Sequence, residues 1–201
     1  MVPFILLMFL LSRWSGGIVD RYGARRPLIF GPIVAGVGFA MFALPSVGGA
    51  YWTTFFPALV VLGLGMAISV APLTTAVMNS VPGKYVGTAS GINNAASDSA
   101  DVLAIACFGI LMVAVFNHHL SPQLAKLGLA PELRQTIGDQ KSKLAAIELP
   151  ESVDVALRAR IHQSVDESFV TGFRFVTLIS SGLALLTAGI AWLLIGRDKQ
   201  T

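Results

Sequence analysis

From Pro27 to Gly83 the chain runs for 57 residues without an Asp, Glu, Lys or Arg. A water-soluble fold has no need of such a stretch, whereas a helix crossing a bilayer needs about 20 mostly apolar residues. The rest of the chain agrees. Only 12% of its 201 residues are charged and 54% are hydrophobic, where a soluble domain carries about 25% charged residues. This composition excludes disorder and a secreted disulfide scaffold. A lone Cys107 excludes an intrachain disulfide and a zinc cluster. The net charge of +3 comes without a basic stripe, so nucleic acid is not an expected partner. The start, Met1-Val2-Pro3-Phe4, has no basic leader and does not read as a signal peptide.

Five apolar stretches are expected to span a membrane, giving an all-α polytopic membrane protein. They cover about 1–19, 28–44, 51–78, 87–116 and, in the last case, Phe175 to Ile195. At 1.5 Å per residue that last run covers roughly 30 Å, the thickness of the hydrocarbon core. Arg21, Arg25 and Arg26 lie between spans one and two, Lys84 between three and four, and Arg197 and Lys199 after span five. The loop between spans two and three, 45–50, carries no charge. All six basic residues therefore fall on one side, and the positive-inside rule makes that side cytoplasmic, together with the C-terminus. The expected location is a cell membrane.

Residues 117–172 form a hydrophilic segment on the outer side, with six Lys/Arg and seven Asp/Glu. Val153, Leu157, Ile161, Val165, Phe169 and Phe173 recur every four residues, as on one face of a helix. Asp154 and Arg158 suggest an i,i+4 ion pair on it, and Pro131-Glu132 reads as the start of a shorter helix. The segment is expected to be a two-helix extracytoplasmic cap leading into span five; a substrate-binding loop is the alternative. His118-His119 lacks carboxylate partners for a metal and reads as an interfacial pair. No cofactor or metal site is expected.

The most specific string is Gly16-Gly17-Ile18-Val19-Asp20-Arg21-Tyr22-Gly23-Ala24-Arg25-Arg26-Pro27-Leu28. Gly16 and Gly17 let a neighbouring helix come close, and Gly23 can take the positive φ of a tight reversal. Asp20 can accept hydrogen bonds from a helix N-terminus, and the arginines can hold carboxylates or lipid phosphates. A generic basic loop would need the arginines but not the Gly-x-x-x-Asp-Arg-x-Gly frame. The string resembles the cytoplasmic-loop signature of the major facilitator superfamily, Gly-x-Leu-x-Asp-Arg-x-Gly-x-Arg-Arg-x-Leu. Ala24 replaces a position often basic in that family, and Ile18 stands where Leu is common. The stretch Gly87-Thr-Ala-Ser-Gly91-Ile-Asn93-Asn94-Ala is similar to the fourteen-helix drug:proton antiporter branch.

That resemblance implies a C-terminal portion of a drug-efflux antiporter, its five spans corresponding to helices ten to fourteen. Gly16, Asp20, Arg21, Gly23, Arg25 and Arg26 would then form a conformational gate latch. Implied partners are the bilayer, a small-molecule substrate, protons and the preceding helices of the same protein. A chain with less than one half of such a transporter is not expected to transport alone, because substrate sits where two halves meet. A stand-alone five-helix protein, acting as a subunit or partner of another transporter, is the competing reading.

Span four carries Asp98 and Asp101, three residues apart and so on one helical face, with Ser90, Asn94 and Ser97 on the same stripe and Asn93 near it. Counted from Gly87 the two acids lie roughly 17 and 21 Å along the helix. Ionised Asp at a helix centre costs about 2.5–3.5 kcal/mol on insertion scales, so compensation is required. Arg13, roughly 10 Å from the cytoplasmic end of span one, could provide it. Three readings stand: a structural ion pair or cavity lining, a proton site with a raised pKa, or a feature peculiar to this chain. The resembled branch carries Arg and Gly at these two positions, so it assigns them no role. An intramembrane aspartyl hydrolase is not expected: both acids come from one helix, and Gly63-Leu64-Gly65 is followed by Met66.

Overall fold

The computed structural model describes residues 23–150 and 153–195. Every regular element among them is helical. In chain order these are α1 (Arg25–Met41), a π-helical turn (Tyr51–Phe55) that leads into α2 (Phe56–Asn79), a 3₁₀ turn (Gly83–Tyr85), α3 (Val86–Lys126), α4 (Pro131–Asp139), a second 3₁₀ stretch (Lys141–Ala146) and α5 (Val155–Leu194). Three helical stretches are long and apolar enough to cross a bilayer: Tyr51–Asn79, Gly83–Lys126 and Val155–Leu194. They carry the third, fourth and fifth expected spans. The second expected span forms the 17-residue α1, and the first lies outside the described residues.

The chain divides into two compact units. The first takes in the described residues up to Leu44, Ala50–Leu103 and the chain from Thr177 onward. Within it α1 packs closely on α2 through glycines. A Cβ placed on Gly65 would stand 2.3 Å from the Ala35 backbone nitrogen, and one on Gly38 would stand 2.6 Å from that of Leu62. Gly31 faces Ser69, whose hydroxyl donates to the Gly65 carbonyl at 2.8 Å. Lipid-embedded helices associate through packing of this kind, because lipid tails leave no hydrophobic drive between them. Pro32 and Pro72 lie inside α1 and α2 and are buried. In α2, Thr74 and Thr75 donate to the carbonyls of Val70 and Ala71 at 3.1 and 3.0 Å, bonds that such helices tolerate around a proline.

The second unit, Pro45–Gly49 with Ala104–Val176, has an ordinary apolar core. Phe116, Leu120 and Leu124 come from α3, Ile137 from α4, and Ile161 and Val165 from α5, with Leu129 and Ile147 from the connections. Leu157 and Phe169 pack at its edge, as does Val153 just before α5, so the four-residue repeat marks a buried helical face from Leu157 to Phe169. The short helix begins at Pro131, where its sequence start signal lies. The Gln140 side-chain amide closes the connection after α4. It donates to the Glu148 carbonyl at 3.1 Å and accepts from the Glu148 N–H at 3.0 Å. The loop so closed includes Leu144 at φ +55°.

Two local expectations take a different form. The helical backbone does not stop near Phe116 but continues to Lys126, because Leu120 and Leu124 prolong the same apolar row into the core. Asp154 and Arg158 do not serve each other as an ion pair. The Asp154 carboxylate accepts from the Ala156 and Leu157 N–H groups at 3.0 and 3.3 Å, which caps the start of α5. Arg158 donates instead to the Pro150 carbonyl at 2.9 Å. A helix N-terminus offers unpaired N–H groups and positive potential, a better partner for a short carboxylate than a guanidinium already held by a backbone carbonyl. Asp154→Ala is therefore expected to destabilise the unit by about 1 kcal/mol, while Arg158→Ala leaves the cap intact; thermal unfolding of the two variants separates them.

Candidate functional site

Two regions were singled out by sequence, and the structure describes them unequally. Of the turn before α1, Gly16, Asp20 and Arg21 lie outside the described residues, as does Arg13. Gly23 has φ +71°, the left-handed conformation that a residue with a Cβ adopts only at a cost. Arg25 and Arg26 follow in the first turn of α1, which contains no acid. The Arg25 Nη2 donates to the Trp192 carbonyl of α5 at 3.1 Å, while its Nε is buried without a hydrogen-bond acceptor. Arg26 is exposed.

The polar stripe lies on the N-terminal part of α3. Asn94, Asp98 and Asp101 are exposed, and Ser90 and Asn93 are half-buried. The helix places the two acids on one face, and large aliphatic side chains of α3 are uncovered as well: Ile92 is 66% exposed, Val102 68% and Ile105 75%. Ile105 falls between the two acids on that face and Val102 lies one turn after Asp98, so bare carboxylates and bare aliphatic side chains share one surface. The aliphatic side chains suit lipid or another apolar helix, and the carboxylates require water or polar partners. Among the described residues neither carboxylate has an ion-pair partner. His118 and His119 are exposed, their rings edge to face at 6.0 Å.

Sequence reasoning missed three features of the first unit. These are the glycine contact of α1 with α2, the bond from Arg25 to α5, and Ser181, whose hydroxyl donates to the Gly36 carbonyl at 2.8 Å in a buried setting. Small residues at Gly31, Ala35 and Gly38, spaced four and three apart, were the available signal for the first. Neither of the other two leaves a mark in the local pattern.

Residues 1–118 match the model of the Major Facilitator Superfamily, which is more than half of the chain. The chain belongs to the major facilitator superfamily. The match holds the turn with Gly23, Arg25 and Arg26 and the polar stripe of α3. Among curated relatives, the Multidrug resistance protein Stp of Mycobacterium tuberculosis (strain CDC 1551 / Oshkosh) is 25% identical over 209 residues, covering 100% of this chain and 38% of its own length. The Tetracenomycin C resistance and export protein of Streptomyces glaucescens is 23% identical over 195 residues, covering 95% of this chain and 36% of its own length. A triacylglyceride transporter of Mycolicibacterium hassiacum is 25% identical over 211 residues, with 98% and 37% covered. This member of the superfamily thus spans little more than a third of the length of these relatives, and their names are those of resistance, export and transport proteins.

Proposed function

We infer that these residues form the C-terminal part of a proton-coupled exporter of drugs or other small molecules, and that they do not transport by themselves. The observation that carries this reading is the coverage: exporter relatives match 95–100% of this chain with 36–38% of their own length. The bare N-terminal part of α3 supports it, since an exposed polar stripe beside exposed aliphatic side chains is what a helix shows when its neighbours belong to another part of a bundle. In the intact exporter the stripe of Asn93, Asn94, Asp98 and Asp101 lines the substrate route or supports its wall. Asp20, Arg21, Gly23, Arg25 and Arg26 act as the cytoplasmic gate latch, biasing the inward-closed against the inward-open state. The membrane is the cytoplasmic one, with the turn before α1 and the C-terminus inside. The Arg25–Trp192 bond supports that topology, because it brings the start of α1 and the end of α5 to one level.

Reconstitution tests the reading. The 201-residue chain and the longer protein that contains it are sealed separately into vesicles with a lipophilic cationic dye and an imposed proton gradient. The longer protein is expected to drive efflux and the 201-residue chain is not. Asp20→Asn in the longer protein is expected to slow efflux about tenfold, equivalent to about 1.4 kcal/mol in the limiting barrier. Gradient-driven efflux by the 201-residue chain alone overturns the reading.

A further inference from the structure

Arg25 and Arg26 stand at the positive end of α1's own dipole with no acid in that turn, an arrangement that by itself disfavours the helix. Arg25 is turned to the opposite pole of another helix. Its Nη2 donates to the Trp192 carbonyl at 3.1 Å, two residues before α5 ends at Leu194. The last four carbonyls of a helix have no N–H ahead of them within it, and they carry the negative end of the dipole. The preceding carbonyl, that of Ala191, is already satisfied by the Ile195 N–H at 3.0 Å. The guanidinium therefore meets one of the last carbonyls of α5, at the negative end of its dipole.

A second contact joins the same two helices further in. Ser181 donates to the Gly36 carbonyl at 2.8 Å. The backbones are so close there that a Cβ on Gly36 would stand 3.3 Å from the Ser181 carbonyl oxygen and 3.4 Å from the Leu185 side chain. Gly36 lies eleven residues after Arg25, and Ser181 lies eleven residues before Trp192. At 1.5 Å per residue both intervals are roughly 16 Å. Equal spacing in opposite chain directions means that the two hydrogen bonds fix a single antiparallel register, and sliding either helix by one turn breaks both.

We propose that Arg25 is a positioning residue that fastens the last turn of α5 to the start of α1, and that together with Ser181 it makes these helices one rigid pair. The turn before α1 then cannot move without carrying the end of α5 with it. This consequence for transport rests on the exporter reading; the clamp itself does not. A two-point register lock is more than a charge near a helix end, since it couples the basic turn to a helix about 170 residues further along the sequence.

The test is amide hydrogen exchange on the whole chain in lipid nanodiscs, for wild type, Arg25→Gln, Arg25→Lys and Ser181→Ala. Arg25→Gln is expected to speed exchange of the Leu194 and Ile195 amides about tenfold, with amides near Thr187 unchanged. Arg25→Lys keeps the charge and is expected to recover much of the protection. Ser181→Ala is expected to speed exchange around Gly36 and to leave the last turn of α5 close to wild type. Wild-type exchange at Leu194 and Ile195 in Arg25→Gln overturns the proposal, as does equal loosening of all of α5 in both Arg25 variants, which marks a purely structural role. In the longer protein Arg25→Gln is expected to lower the maximal efflux rate with KM unchanged. Absence of efflux in the wild type would count against the exporter reading, while the exchange result would still decide the clamp.

Discussion

Gly65→Ala is expected to cost the α1–α2 pair about 3 kcal/mol, at the upper end of what overpacking does. The added Cβ would stand 2.3 Å from the Ala35 nitrogen, 2.7 Å from its Cα and 2.9 Å from its Cβ. Two of those three atoms are backbone, so no rotamer change relieves the clash, and the helices must move apart by roughly 1 Å to reach an ordinary carbon contact distance. Between helices in lipid that separation is not offset by a hydrophobic term, because packing and hydrogen bonds are what hold them together. Gly38→Ala meets the Leu62 nitrogen at 2.6 Å and should behave alike. Gly91→Ala is the matched control, since a Cβ there meets nothing within 4 Å and alanine is the better helix former by about 1 kcal/mol. Thermal unfolding in one detergent should rank the variants with Gly65→Ala lowest and Gly91→Ala at or above wild type. Ala35→Gly added to Gly65→Ala should rescue only in part, because it removes the Cβ and leaves the backbone contact. Indistinguishable unfolding of Gly65→Ala and Gly91→Ala would refute the close contact.

The sequence was informative where one pattern answers one question. The uncharged run from Pro27 to Gly83 required membrane helices, and α1 and α2 occupy it. The repeat from Leu157 to Phe169 marks the buried face of α5, because an amphipathic helix separates its apolar and polar sides. Within the spans that separation disappears. α3 is apolar on arcs that nothing in the structure covers, as at Ile92 and Ile105, so hydrophobicity there does not distinguish a packed face from a lipid-facing one. Only small residues carry that information, and at Gly31, Gly38 and Gly65 they do. The candidate site divides in the same way. That Asp98 and Asp101 share a face follows from helix geometry alone, whereas Arg25 meets Trp192 through a tertiary contact that no local window contains. Asp154 illustrates a third case: two chemically sound uses of one carboxylate competed, and the helix cap prevailed over the ion pair.

Phe116→Ala is expected to cost the second unit about 3–5 kcal/mol, the usual loss for emptying a buried aromatic site. Phe116 is fully buried and shares the core with Leu120 and Leu124 of its own helix, Ile137 of α4, and Ile161 and Val165 of α5. Contributions from three helices and two connections leave no single element able to move in and refill the space, which places the loss towards the upper value. Ile110→Ala is the control on the same helix, because Ile110 is 72% exposed. The medium around this core gives the comparison a second meaning. A core in water is held by apolar burial and yields to urea, whereas the glycine contact of α1 with α2 is held by packing in lipid. With the chain in nanodiscs, a urea transition should therefore belong to residues 117–172, if they lie outside the bilayer. Its midpoint should fall in Phe116→Ala and stay at the wild-type value in Gly65→Ala. A midpoint that ignores Phe116→Ala would put that core in the membrane and would reverse the expected sidedness of the whole segment.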